Sequence, residues 1–216
     1  MGLLDQLKQQ AEQAKKQRGE TASAVEDSVQ LINGKLDRIF HYFRELAEQL
    51  QVIEPDTPLV FPVHSVGEMS NLKLREFSAD YRRKTAGNAF SDLIDRVTLT
   101  FNYSSPQKFV VERTEIFQIE RLKEYLGRYA LRFDLEEKKN ERGIITAGVF
   151  VIPWEVRALV HVRGDDRQRR IIFITRNVER LGEQEFVFDA EKVDETLLDE
   201  FARFLMGQPN HFRNLQ

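Results

Sequence analysis

The chain has 216 residues, 41% hydrophobic and 31% charged, enough apolar material to bury a core without metal or disulfide support. Its 35 acidic and 32 basic residues leave a net charge of −3, so only a local patch, not the whole surface, is left for nucleic acid. Cysteine is absent, which excludes disulfides, thiol catalysis and thiolate metal sites.

The opening Met1-Gly2-Leu3-Leu4-Asp5-Gln6 does not read as a signal peptide, because charge at Asp5 and Lys8 interrupts any apolar core. Gly2 invites comparison with a myristoylation start, but Gln6 stands where that pattern wants Ser or Thr. No apolar run approaches membrane-spanning length, and a cytoplasmic protein is expected.

Residues 3–18 form an amphipathic pattern with Leu4, Leu7, Ala11 and Ala14 on one face, closed by Gly19 as a C-cap. Ser23 and Glu26 have capping-box spacing, which predicts a second helix over 24–51. The two apolar stripes differ in phase, so a joint is expected near 19–23. In the second stripe Val25, Val29, Ile32, Leu36, Ile39, Phe43, Leu46 and Leu50 recur at steps of four and three without a miss. From Val25 to Leu36 the stripe is narrow, flanked by Ser28, Asn33 and Lys35; from Ile39 it is broadened by Phe40, Tyr42 and Ala47. A narrow seam suits one partner helix and a broad face suits a globular body. The later half should therefore dock on the rest of the chain, and the earlier half should pair with the first helix or with another subunit. Asn33-Gly34 and His41 fall on the outer face.

Pro55, Pro58 and Pro62 mark an extended linker, with a boundary near 52–57. Beyond it Leu72 and Leu74 share one phase and Phe77, Ala79 and Tyr81 the other, which predicts a strand with a bulge near Arg75-Glu76. Val97, Leu99, Phe101 and Tyr103 alternate with Thr98, Thr100 and Asn102 as a half-buried strand, and 109–111 is a shorter one. Thr114 is placed to cap a helix carrying Ile116, Ile119, Leu122 and Leu126, closed by Gly127. Alternation resumes at Tyr129, Leu131, Phe133 and Leu135. The run 144–152 reads as a strand buried on both faces and ended by Pro153. Residues 156–162 and 171–178 flank Gly164-Asp165-Asp166 as a hairpin, and Phe186 and Phe188 close the series. A C-terminal helix over 190–206 is capped by Asp189, faces inward with Val193, Leu197, Phe201, Phe204 and Leu205, and stops at Gly207 and Pro209.

These elements specify an α+β fold: long N-terminal amphipathic helices over 1–52, then an antiparallel β-sheet body over 53–216 covered by the C-terminal helix. Sixteen phenylalanines point either to bulky core filling or to an apolar cavity between sheet and helix.

Signatures of phosphate loops, dinucleotide turns, nucleophile elbows and zinc-protease helices are absent, and no cofactor or metal is implied. Of the histidines at 41, 64, 161 and 211, His161 has the best setting, mid-strand near Asp165 and Asp166, yet alternation points it away from its apolar neighbours. Two basic clusters, Arg82-Arg83-Lys84 and Arg167, Arg169, Arg170 with Arg176, would touch phosphates only if neighbouring strands carried them onto one open face. No aromatic stacking platform accompanies them, and nucleic acid is disfavoured. Trp154 reads as a core anchor at a strand turn. The sequence thus favours a non-enzymatic protein that self-assembles or binds a protein partner through Leu4, Leu7, Val25, Val29, Ile32 and Leu36. Its alternative is a carrier of a small apolar molecule or lipid.

Overall fold

The computed structural model describes residues 3–86 and 89–216, with side chains described over 23–85 and 91–216. The stripe beginning at Val25 becomes one face of α1, a single helix Leu3–Ile53. The joint expected near 19–23 is not there. Gly19 costs only about 1 kcal/mol inside a helix, and stopping there would require a second helix to nucleate afresh.

Ile32, Leu36, Ile39, Phe43, Ala47 and Leu50 are buried on the inner face of the sheet. Polar side chains of the same helix pin it in place. Asn33 Oδ1 accepts the Ile94 N–H at 2.8 Å, Ser28 Oγ donates to the Asp166 carbonyl at 2.6 Å, and Lys35 Nζ donates to the Val193 carbonyl at 2.7 Å. Asn33 is therefore not a free outer-face residue, whereas Gly34 and His41 are exposed as expected.

The sheet contains β1 (Asp56–Thr57), β4 (Leu72–Ala86), β5 (Ala89–Arg113), β6 (Asp134–Lys139), β7 (Ile145–Asp165), β8 (Arg170–Arg176) and β9 (Glu183–Asp189). Every pairing is antiparallel, in the order β1-β4-β5-β7-β8-β9, with β6 also on β7. A short hairpin, β2 (Phe61–Val63) with β3 (Gly67–Met69), occupies part of the expected linker. Phe61, Val63 and Met69 are buried, so this stretch belongs to the core.

Two pairs of expected strands fuse. Residues 97–103 and 109–111 lie in the one strand β5, and 144–152 and 156–162 lie in β7. Pro153 does not end its strand. Between Ser104↔Glu155 and Lys108↔Pro153, β5 advances four residues while β7 advances two, so the proline sits at an irregularity where its missing N–H breaks no regular ladder. The bulge expected in β4 falls between Arg75 and Ser78, with Glu76 at φ 56°. Residues 129–133 are not strand: Ala130 takes φ 54° and β6 starts at Asp134.

Helix α2 (Ile116–Arg128) starts after Glu115, and no side chain caps it. The C-terminal helix starts later than expected. A 3₁₀ turn at Ala190–Lys192 precedes α3 (Glu195–Met206), and the cap is Asp194, whose Oδ1 accepts the Leu197 N–H at 2.9 Å. Extended backbone at Val193, whose carbonyl takes Lys35, separates the two. Gly207, at φ 72°, ends α3 as the sequence indicates.

Inward-facing Val97, Leu99, Phe101 and Tyr103 of β5, Val156, Ala158, Val160 and Val162 of β7, and Ile171 and Phe173 of β8 form the floor of the core. Helices α1 and α3 roof it. Phe43 stacks on Phe201 at 5.6 Å, and Phe173, Phe186, Phe188, Phe201 and Phe204 all meet Phe212 with centroids 4.9–5.7 Å apart. Gly164 is a strand residue paired with Ile171 rather than part of the turn. It lies directly beneath α1: a Cβ there would stand 2.1 Å from Ile32 Cγ2.

Candidate functional site

The six residues singled out for association divide into three groups. Ile32 and Leu36 are 2% and 1% exposed, spent on the chain's own sheet. Val29 is half-buried and Val25 is 58% exposed. Leu4 and Leu7 lie outside the described side chains. The inward burial of Ile32 and Leu36 had no separate signal in the sequence, because a stripe looks the same whichever surface covers it.

Between the sheet and α3 the phenylalanines pack against one another, as described above. Two of the clefts on the molecule lie elsewhere. One, of about 650 Å³, is lined by His64, Arg113, Phe117, Arg121, Tyr125 and Arg128 among others. Its polar groups largely serve local structure: Arg113 Nη2 donates to the Ser65 carbonyl at 2.6 Å, Tyr125 Oη to the Pro62 carbonyl at 3.2 Å, and Arg128 pairs with Glu124 at 3.0 Å. Tyr125 thereby ties α2 to the β2–β3 hairpin, Arg113 ties β5 to the same hairpin, and the Arg128–Glu124 pair stays within α2. Among the described residues no group of three or more His, Asp or Glu is gathered to hold a metal ion.

The second cleft, of about 660 Å³, lies on the open face of the sheet and is lined by Asp80, Tyr81, Arg82, Arg83, Arg96 and Thr98. Cross-strand register explains its composition. Arg82 of β4 is directly opposite Arg96 of β5, and Arg96 is directly opposite Arg163 of β7. The row continues through Ile172 of β8 to Val187 of β9. The next row runs Asp80, Thr98, His161, Ile174, Glu185. Three like charges thus stand side by side where direct cross-strand neighbours normally alternate in sign or are neutral.

The acidic groups nearby are engaged elsewhere or set apart. Asp80 Oδ1 accepts the Tyr81 N–H at 2.7 Å, Asp92 faces Arg83 at 3.8 Å, and Asp165 Oδ1 caps the β7–β8 turn through the Arg167 and Gln168 N–H groups. Among the described residues no ion pair involves Arg82, Arg96 or Arg163, and the Arg96 Nε is buried without a hydrogen-bond partner. His161 sits one row behind, its Nδ1 3.1 Å from Thr98 Oγ1. Burial, and next the positive charge of Arg96, hold its imidazole pKa below the ordinary histidine value, with Glu183 opposing weakly.

The two basic clusters anticipated from sequence do not assemble. Arg83 pairs with Asp92, Lys84 with Asp166 at 2.8 Å, and Arg169 with Glu191 at 2.6 Å, while Arg176 Nη2 donates to the Arg128 carbonyl at 3.0 Å. Only Arg82 joins the row. Arg96 and Arg163 were missed because each is a lone arginine in its segment; their polar-face phase was readable, but the register joining them was not.

Comparison with known families, curated proteins and solved structures finds no match for the chain. Fold and surface define the class: an α+β protein with a bent antiparallel sheet roofed on one face by helices and bearing an arginine row on the other. No helix of the described residues is long and apolar enough to cross a membrane.

Proposed function

We propose that the protein acts by self-association through the N-terminal part of α1, with the β body as the scaffold or recognition module it gathers. The reading rests on the length of α1. Its 51 residues correspond to about 76 Å at 1.5 Å per residue. Its described anchors begin at Ser28, and the stretch from Leu3 to Ser28 extends about 38 Å.

Most of the stability of a helix in a protein comes from packing its apolar face against other structure. The N-terminal stretch of α1 carries Leu4, Leu7, Ala11 and Ala14 at helical spacing, and Val25 is exposed where the stripe leaves the sheet. A second copy of the same helix would pack along this stretch and close a two-fold pair.

Native mass spectrometry of the full chain should give a dimer or larger assembly. Leu4→Glu with Leu7→Glu, and separately Val25→Glu, should shift it to monomer while leaving near-ultraviolet circular dichroism of the body unchanged. A monomeric full chain at about 10 μM, or an assembly unaffected by these substitutions, would refute the proposal.

A further inference from the structure

We propose that the open face of the sheet carries a binding site for a phosphate monoester, held by Arg82, Arg96 and Arg163 and flanked by Ile172, Ile174 and Val187. Two strand spacings separate the outer members of the arginine row, about 10 Å between their backbones. Arginine side chains are long enough for all three guanidinium groups to converge above β5. A doubly charged oxyanion there would offset the repulsion that the row otherwise imposes, and guanidinium forks match phosphate oxygens.

The buried Arg96 Nε is the second indication, since a donor left without a partner inside a folded protein calls for explanation. Thr98 and His161, in the adjoining row, provide a hydroxyl and an imidazole behind the arginines.

The neighbouring residues narrow the ligand. Along the same row β8 and β9 present Ile172, which is 8% exposed, and half-buried Val187, with half-buried Ile174 one row away. An apolar organic part fits that side. Asp80 on β4, and Glu183 and Glu185 on β9 beside the apolar residues, bound the positive charge within one anionic group's reach. A nucleic-acid strand or an anionic membrane would demand a longer basic track than this, and among the described residues the one aromatic ring lining the cleft, Tyr81, is half-buried.

The test is two-dimensional NMR of the full-length protein, following the His161 imidazole during titration with phenyl phosphate, with inorganic phosphate, and with sodium chloride at matched ionic strength. Phenyl phosphate should give a saturable shift and raise the His161 pKa, because the bound anion cancels the field of Arg96. It should bind at least about threefold more tightly than inorganic phosphate. Arg96→Gln and Arg163→Gln should each weaken it about tenfold or more, while Arg167→Gln, in the β7–β8 turn, should change it less than roughly twofold.

Amide spectra of each variant establish that the sheet is intact before affinities are compared. The site is overturned by no saturable shift up to roughly 10 mM, or by equal binding in Arg96→Gln. Equal affinity for the two phosphates overturns the apolar flank. Parallel titrations with a single-stranded oligonucleotide and with vesicles containing phosphatidic acid distinguish the sources: a response to either of these with none to phenyl phosphate also overturns the proposal.

Discussion

Replacing Gly164 by alanine adds one methyl group where α1 comes closest to the sheet. The new Cβ would lie 2.1 Å from Ile32 Cγ2, far inside ordinary contact distance, so about 1.5 Å of movement is required. Little freedom is available to supply it. Ile32 is buried and β-branched, and the helix around it is tied by Ser28 to Asp166, by Asn33 to Ile94 and by Lys35 to Val193. Overpacking of this kind costs about 1–3 kcal/mol, which for a domain of this size lowers Tm by about 2–12 °C. The assay is thermal and urea unfolding of a four-member cycle made of wild type, Gly164→Ala, Ile32→Ala and the double variant. Ile32→Ala alone should cost about 2–5 kcal/mol by leaving a cavity. In the double variant the added methyl enters that cavity, so the total should fall short of the sum by at least 1 kcal/mol or so. Additive costs, or a neutral Gly164→Ala, would show that helix and sheet are not in contact at this point.

Gly34 offers the opposite case: it is exposed in mid-helix, and a methyl group added there would have no neighbouring atom within 4 Å, so Gly34→Ala should stabilise by about 1 kcal/mol in urea unfolding. Asn177 is buried and donates from Nδ2 to the Tyr129 and Arg157 carbonyls at 2.8 and 3.1 Å, while its Oδ1 accepts the Gly182 N–H at 2.9 Å. Asn177→Leu orphans all three and should lower stability by about 3 kcal/mol or more, read as a lower denaturant midpoint. His161 has a folded pKa below its unfolded value of about 6.5, so the unfolded chain binds the proton first as pH falls. Its contribution is therefore complete above about pH 6.5 and is lost as pH drops through that value to the folded pKa. His161→Gln should flatten the stability profile on the acid side of about pH 6.5.

Periodicity carried the α+β class, the inward faces of α3 and of α1 from Ile39 onward, the β4 bulge and the β7–β8 hairpin, because each of these is a local pattern of apolar spacing or turn residues. It could not carry strand length. Pro153 marks a bend only because β5 has two extra residues opposite it, and that compensation lies about fifty residues away in the chain. Asn33 looked like a solvent-facing residue for the same reason: its partner, the Ile94 N–H, is set by tertiary packing. Asp189 and Asp194 are equally good caps by composition, and Lys35 taking the Val193 carbonyl favours the later start. The arginine row is the extreme case, since Arg82, Arg96 and Arg163 become neighbours only through register.

Helix α1 is completed by parts of the chain that come last. Lys35 reaches Val193, Tyr42 donates to Asp199 at 2.7 Å and Phe43 stacks on Phe201, contacts between residues about 158 positions apart. During synthesis the helix therefore emerges well before α3, and its apolar stripe from Ile32 onward stays uncovered until nearly the whole sheet and α3 have followed. Such distant closures slow folding and lengthen the interval in which bare apolar faces meet other chains. On the self-association proposed above, pairing of two nascent α1 helices in that interval would shield the stripe early and make assembly and folding one process rather than two in sequence.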